Sequence, residues 1–358
     1  MTPVSDRGEL PETMPAAVYR GSGEVAVEDR PVPRPGPGQV LVEVGHCGVC
    51  GSDLHLIGDG WGRPGTVYGH EYSGTVTAVG EGVTGWAVGD EVVGGPPPRC
   101  GRCRRCREGQ PSQCEVVRRA VTDGHDGAFA RYVLLEARAL VRVPAGLGAR
   151  EAALAEPLAV ALHGITRSQI GPGDSAMVLG AGPIGALTVV ALAARGLGTV
   201  TVVEPAGSRQ ALARALGAEV VHPDDLPTFP LWEPEALAPR AVDVVFECSG
   251  RKAAMEAGLQ QLRRGGRLVL VGAGIEPPSF DANRMLLNEL TVTGSFIYDA
   301  DGFDRALELL ASGAIPSDAL IEPDDVPLDR LGDALGRLAA GDVAGKVMIV
   351  PKLAAEET

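Results

Sequence analysis

Aromatic residues are scarce in this chain, with three Trp, five Tyr and six Phe among 358 residues. Its interiors must be built from Ala, Val and Leu, which suits α/β layering. No stretch approaches the ~20 apolar residues of a membrane span. Nothing near the first residues joins a basic start to an apolar core, as a signal peptide does, so the chain is expected to be soluble and cytoplasmic. Positive charge is also in deficit: 32 Lys and Arg against 46 Asp and Glu leave a formal charge of −14. That field repels polyphosphate backbones and anionic lipid surfaces, so neither nucleic acid nor membrane is an expected partner. The one basic patch, PRCGRCRRCREG, is better explained by its cysteines. No repeats occur beyond an alternation of strand-like and helix-like runs.

The length exceeds one ordinary domain, so two or three are expected, each with its own core. The seven cysteines are an odd number, and in a reducing compartment clustered cysteines hold metal more often than they pair. Cys100, Cys103, Cys106 and Cys114 form a C-x2-C-x2-C-x7-C array, with Gly101, Gly109 and Pro111 supplying the bends. This predicts a four-thiolate structural zinc that staples a lobe, about residues 97–116, too poor in apolar residues to hold itself. The neighbouring arginines favour the thiolate forms. Cys47, Cys50 and Cys248 stand apart. Cys50 lies in GHCGVCGSDLH, and about fifteen residues beyond that stretch GHE supplies His70 and Glu71. A thiolate, an imidazole and a carboxylate are the donor mixture of a catalytic zinc, since three protein ligands leave a fourth position open. The plain alternative is a buried free cysteine beside an unrelated histidine.

Along the chain, residues 1–13 are polar with two prolines and are expected to be loosely attached. From Ala16, short apolar runs such as Val40–Val44 and Gly74–Gly80 alternate with Gly and Pro, predicting a β-rich domain. From Arg150 the apolar spacing becomes helical. DSAMVLGAGPIGALTVVALAARGLGTVTVVEP then reads as strand, glycine turn, helix and strand, the βαβ unit of a doubly wound parallel sheet. VDVVFECSG and RLVLVGAG look like later strands, and HPDDLPTFPLWEPEALAPR like a surface excursion. Gly180, Gly182 and Gly185, with Pro183 and Ile184 between the last two, complete GxGxxG. The first glycine allows the turn, the second lets pyrophosphate approach the backbone and the helix N-terminus, and the third allows close packing. Glu204, at the end of the next strand, is suited to accept from adenosine ribose hydroxyls and to repel a 2′-phosphate, favouring NAD over NADP. Arg209 is placed either to flank the adenine or to receive that phosphate.

The β-rich domain, the Cys50, His70 and Glu71 set, the four-cysteine lobe and the glycine motif, in this order, resemble the zinc-dependent medium-chain alcohol dehydrogenases. The resemblance covers about Ala16 to Pro351 and implies a GroES-like catalytic domain (1–158), a Rossmann cofactor domain (159–296) and a return to the first domain (297–358), with Gly345–Val350 as its last strand. It implies that Cys50 binds the catalytic zinc with His70, and that Glu71 or Glu156 completes the set directly or through water. A glutamate at position 156 resembles the polyol and sugar dehydrogenase branch, although Glu156, followed by Pro157, could also simply cap a helix. Ser52 and His55 match the family's proton relay, and Asp53 the carboxylate behind the zinc ligands. The implied reaction is hydride transfer between NAD and a secondary alcohol within a polyol, vicinal diol, sugar or cyclitol, with Trp61 on the pocket wall. Simple or threonine-like amino alcohols, and NADP-dependent carbonyl reduction, are the alternatives. Two zinc ions per chain and a homodimer or homotetramer, joined by an edge strand within Leu286–Phe296, are also implied. A zinc-free quinone or enoyl reductase and a non-catalytic NADH-binding regulator are the rivals from other classes.

Overall fold

The structure, a computed structural model, describes residues 10–95, 99–116 and 127–352. The first nine residues, the start of the cysteine lobe at 97–98 and His125 lie outside them. Among the described residues the strands fall into two large sheets and one hairpin.

β1 (Thr13–Gly21) and β2 (Glu24–Pro31) form the antiparallel hairpin. The stretch expected to be loose is in fact tied down at its end. Thr13 opens β1, and the amide of Val32 donates to the carbonyl of Glu12 at 2.9 Å. The larger β-sheet is built on β3 (Gln39–Gly48) and β4 (Glu71–Val79), followed by β5 (Glu91–Gly94), β6 (Tyr132–Glu136) and β7 (Val141–Arg142). β3 and β4 pair antiparallel with Gly48 opposite Glu71, so the end of one strand lies beside the start of the other. That register returns GHE to the side of Cys50 across a long connection.

A short helix, α1 (Ala149–Ala152), and a long one, α2 (Ala155–Ser168), lead to the second sheet. This sheet contains β8 (Ala176–Leu179), β9 (Thr201–Val203), β10 (Glu219–Val221), β11 (Val242–Glu247), β12 (Leu262–Leu270) and β13 (Thr291–Gly294). Its order, β10-β9-β8-β11-β12-β13, with every pair parallel, is the doubly wound order. β8 and β11 are buried at every residue, as strands covered on both faces must be. α3 (Pro183–Ala194), apolar nearly all round, packs with α2 on one face over Val178, Val202 and Phe246. Met177, Val245 and Leu268 belong to a separate core with Leu259 and Leu262. Between β10 and β11 the proline-rich stretch forms only a single 3₁₀ turn, with Trp232 left 81% exposed at the surface.

After β13 the chain comes back. β14 (Val326–Pro327) and β15 (Met348–Val350) join the larger β-sheet, β15 pairing antiparallel with β3 so that Met348 faces Gly48. This brings Lys346 to the same end of β3 as Cys50 and Glu71.

Candidate active site

Cys50 follows the end of β3 and precedes a helical turn at Gly51–Asp53, whose Asp53 Oδ2 accepts from the Cys50 amide at 2.9 Å. His70 immediately precedes β4, and Glu71 opens it. One donor atom from each of Cys50, His70 and Glu71 lies within 4.8 Å of the others. Cys100, Cys103, Cys106 and Cys114 meet the same criterion in their own lobe. Both groups are free thiols or mixed donors with no disulfide among the described residues.

The surroundings fit a cation. Asp53 is fully buried, and its Oδ1, which lies 3.7 Å from His70 Nδ1, has no hydrogen-bond partner among the described residues. Burial raises the Asp53 carboxyl above its usual range, with Glu71 adding to the effect. Burial likewise pushes Glu156 up to about 7, against the pull of His70 and Lys346. Burial works against charge on His70, yet Asp53, Cys50 and Glu156 outweigh it and hold the imidazole well above its ordinary value. Acidic groups gathered at low dielectric in this way need a compensating positive ion.

Part of that compensation is Lys346, a residue that sequence reasoning passed over. It is 1% exposed, and its Nζ donates to Glu71 Oε1 at 2.8 Å and to the Val49 carbonyl at 3.2 Å. Glu71 Oε2 is 2.6 Å from the same ammonium in ion-pair contact but outside hydrogen-bonding geometry, and no other group satisfies it. The sequence signal was a lone lysine entering the apolar run VMIV, since a buried lysine requires a partner.

The other predicted residues are placed as follows. Ser52 Oγ lies 3.4 Å from His70 Nε2. Glu156, in the first turn of α2, is buried near the group but outside the set of close donors. Its side chain flanks Gly95 together with the hydroxyl of buried Tyr298, a second residue the sequence reading missed. His55 does not touch Ser52. Its Nδ1 faces Asp59 at 2.6 Å and its Nε2 faces the carbonyl of Ala273, which follows β12 of the second sheet, at 3.1 Å. Trp61, expected on a pocket wall, stacks on His55 with ring centroids 5.0 Å apart and is 57% exposed.

The glycine turn has the form expected. Gly180 has φ +90°, which favours glycine, and its amide donates to the Val203 carbonyl. A Cβ on Gly185 would lie 1.9 Å from the Gly180 carbonyl oxygen, whereas Gly182, which caps α3 ahead of Pro183 and Ile184, faces open space. Glu204 is 3% exposed, and its two oxygens accept from the amides of Ala181 and Ala206. It thereby holds the turn as well as ending β9. Arg209 donates from Nε to the Val343 carbonyl, tying the cofactor-side helix Gly207–Ala215 to the returning segment.

Two family models match, an alcohol dehydrogenase GroES-like domain over residues 36–145 and a zinc-binding dehydrogenase over residues 183–312. The sorbitol dehydrogenase of Bacillus subtilis (strain 168) is 34% identical over 96% of this chain and 98% of its own length. The chain belongs to the zinc-binding alcohol dehydrogenase family. This dehydrogenase is also 36% identical, over 93% of its length and 98% of the relative's, to the 2-dehydro-3-deoxy-L-galactonate 5-dehydrogenase of Pseudoalteromonas atlantica. A zinc-binding dehydrogenase of Sinorhizobium meliloti 1021, solved with NADP, shares its fold with a TM-score of 0.84 at 32% identity, covering 95% of this chain and all of that one. The dehydrogenase is thus an oxidoreductase acting on alcohols, served by zinc and a nicotinamide dinucleotide.

Proposed function

We propose that this dehydrogenase transfers hydride between NAD and a secondary alcohol carried by a polyol, vicinal diol, sugar or cyclitol. Cys50, His70 and Glu71 hold its catalytic zinc, and Cys100, Cys103, Cys106 and Cys114 its structural one. The convergence of three unlike donors from two strand ends carries this reading. The sorbitol and deoxygalactonate relatives support the substrate class, as does the polar, acidic setting that Glu156 gives the site. When bound, zinc supplies Lewis acidity and the nicotinamide accepts or returns the hydride.

The chain's own contribution is alignment and proton handling. Asp53 sits behind His70 and fixes the face it presents. Ser52, beside His70, is placed to take the substrate hydroxyl proton, and we assign the onward transfer to water to His55, which is held by Asp59 and the Ala273 carbonyl rather than by Ser52. Gly182 leaves the N-terminus of α3 open to pyrophosphate. Glu204, buried with both oxygens accepting backbone amides, would still repel a 2′-phosphate brought beside it, and Arg209 has its Nε engaged with the Val343 carbonyl, which together favour NAD over NADP.

We take residues 1–158 with 297–358 as the catalytic domain and 159–296 as the cofactor domain, in keeping with the two sheets. The free edge of β13, with Leu286 and Phe296 exposed beside it in sequence, suits a homodimer or homotetramer, and a cytoplasmic setting suits the thiols. Among the described residues no helix is long and apolar enough to cross a membrane. The test is a panel of polyols, diols, sugars, simple alcohols and amino alcohols, each with NAD and NADP, followed by absorbance of the reduced cofactor. Turnover of polyols or diols with NAD is expected. Silence of the whole panel at full zinc occupancy, or a clear preference for simple alcohols with NADP, would overturn it.

A further inference from the structure

Lys346, buried against Glu71, has no part in the chemistry just described, yet it touches the metal group directly. Lys346 reaches it from two residues ahead of β15, held by its own backbone, since its amide donates to the Leu320 carbonyl and its carbonyl accepts from the Glu322 amide. The ammonium then meets Glu71 and the Val49 carbonyl, one residue before Cys50. Glu71 carries two competing attractions, because the oxygen that Lys346 leaves without a hydrogen bond belongs to the same carboxylate that lies within 4.8 Å of the Cys50 and His70 donors. The room for this arrangement is reserved by Gly48. A Cβ there would lie 2.3 Å from Glu71 Oε2 and 3.0 Å from Lys346 Cδ. The glycine at position 48, inside the GHCGVC stretch, is thus explained by the pair rather than by a turn.

We propose that Lys346 is a positioning residue that competes with the zinc for Glu71, weakening this carboxylate as a ligand and thereby loosening the site's grip on its ion. The inference rests on the assignment of Cys50, His70 and Glu71 as the catalytic zinc site. Its physical basis is the sign of the charge. An ammonium at hydrogen-bond distance from a ligand, in a medium of low dielectric, both repels a divalent cation and offers the ligand an alternative partner. Removing it leaves the full carboxylate to the metal.

The test measures zinc dissociation constants by competition with a chelator, on the full chain with its structural zinc in place, for wild type, Lys346→Met, Glu71→Gln and the double variant. Lys346→Met is expected to bind catalytic zinc at least about tenfold more tightly than wild type, with Lys346→Arg close to wild type. Glu71→Gln is expected to bind more weakly, and in that background Lys346→Met should tighten binding by less than it does beside Glu71, because the carboxylate for which the ammonium competes is gone. The double variant buries neither charge, so it should fold even if Lys346→Met alone does not, as paired removal of buried ions is well tolerated. With cobalt in place of zinc, the visible absorption of Lys346→Met should shift while that of Lys346→Arg should not. Unchanged or weaker zinc binding in folded Lys346→Met, or a gain from Lys346→Met as large in the Glu71→Gln background as beside Glu71, would overturn the inference. A wild-type protein holding zinc only in its cysteine lobe would instead overturn the site assignment beneath it.

Discussion

The two donor clusters of this dehydrogenase are built in opposite ways. In the lobe, all four thiols come from one short stretch, and the chain folds around them. The amide of Cys103 donates to Cys100 Sγ at 3.3 Å, that of Cys100 to Cys114 Sγ at 3.4 Å, and Glu108 pairs with Arg104 and Arg105 of the same turn. Amides at Cys106 and Glu115 hold the Cys103 thiol below its usual range, whereas burial pushes that of Cys106 up to about 12. In the active site, Cys50, His70, Glu71 and Lys346 come from three strand ends and meet only because β4 and β15 flank β3. A local array needs an ion to hold its shape. A site assembled by sheet register has its shape beforehand, and the ion brings reactivity. Removing metal should therefore cost stability at the first and activity at the second.

The largest expected effect is at the assembled site. His70→Ala should lower kcat/KM at least about a thousandfold, the several kcal/mol that a Lewis-acid metal contributes, with an unchanged circular dichroism spectrum. Loss of fold along with activity would erase the contrast. Next, Cys106→Ser should remove the lobe's zinc and about 2–4 kcal/mol of stability in denaturant titration, while turnover per folded molecule stays within about tenfold of wild type. His55→Ala is expected to lower kcat by about tenfold near neutral pH, with partial rescue by added imidazole, because a relay at the cleft mouth assists a proton that water can also accept. The smallest effect is a pH dependence of the metal-free protein. Burial raises Glu156 to about 7, above the ordinary glutamate value, so the folded state holds a proton that the unfolded state has released. The stabilisation is complete below the unfolded value and is lost as pH rises through about 7, so thermal midpoints of metal-free protein should fall across that interval. Glu156→Gln should flatten the fall, and an equal slope in both proteins would contradict the assignment.

The same contrast explains what the sequence could reveal. The lobe's spacing and the glycine motif are local codes, legible residue by residue, and the positive φ of Gly180 and the close approach at Gly185 are positions that need glycine. Alternating apolar runs gave the doubly wound sheet, since buried parallel strands such as β11 leave an unmistakable aliphatic signature. Cys50, His70 and Glu71 were legible because two of them are adjacent and the third is close. Lys346 was not, because its partner is 275 positions away and only the β3–β15 register joins them. Tyr298 escaped for the same reason, and the engagement of His55 with Ala273, 218 residues on, is set by how the two sheets face each other. Arg209, read in the sequence from its place five residues after Glu204, also donates from Nε to the Val343 carbonyl of the returning segment, a contact that local spacing does not announce.

Metal analysis of wild type and Cys50→Ser, each paired with a polyol assay, tests the central claim most directly. The account predicts two zinc ions per wild-type chain, one in the variant, and no measurable turnover by the variant despite an intact lobe. A Cys50→Ser protein that keeps both ions and full turnover would contradict it.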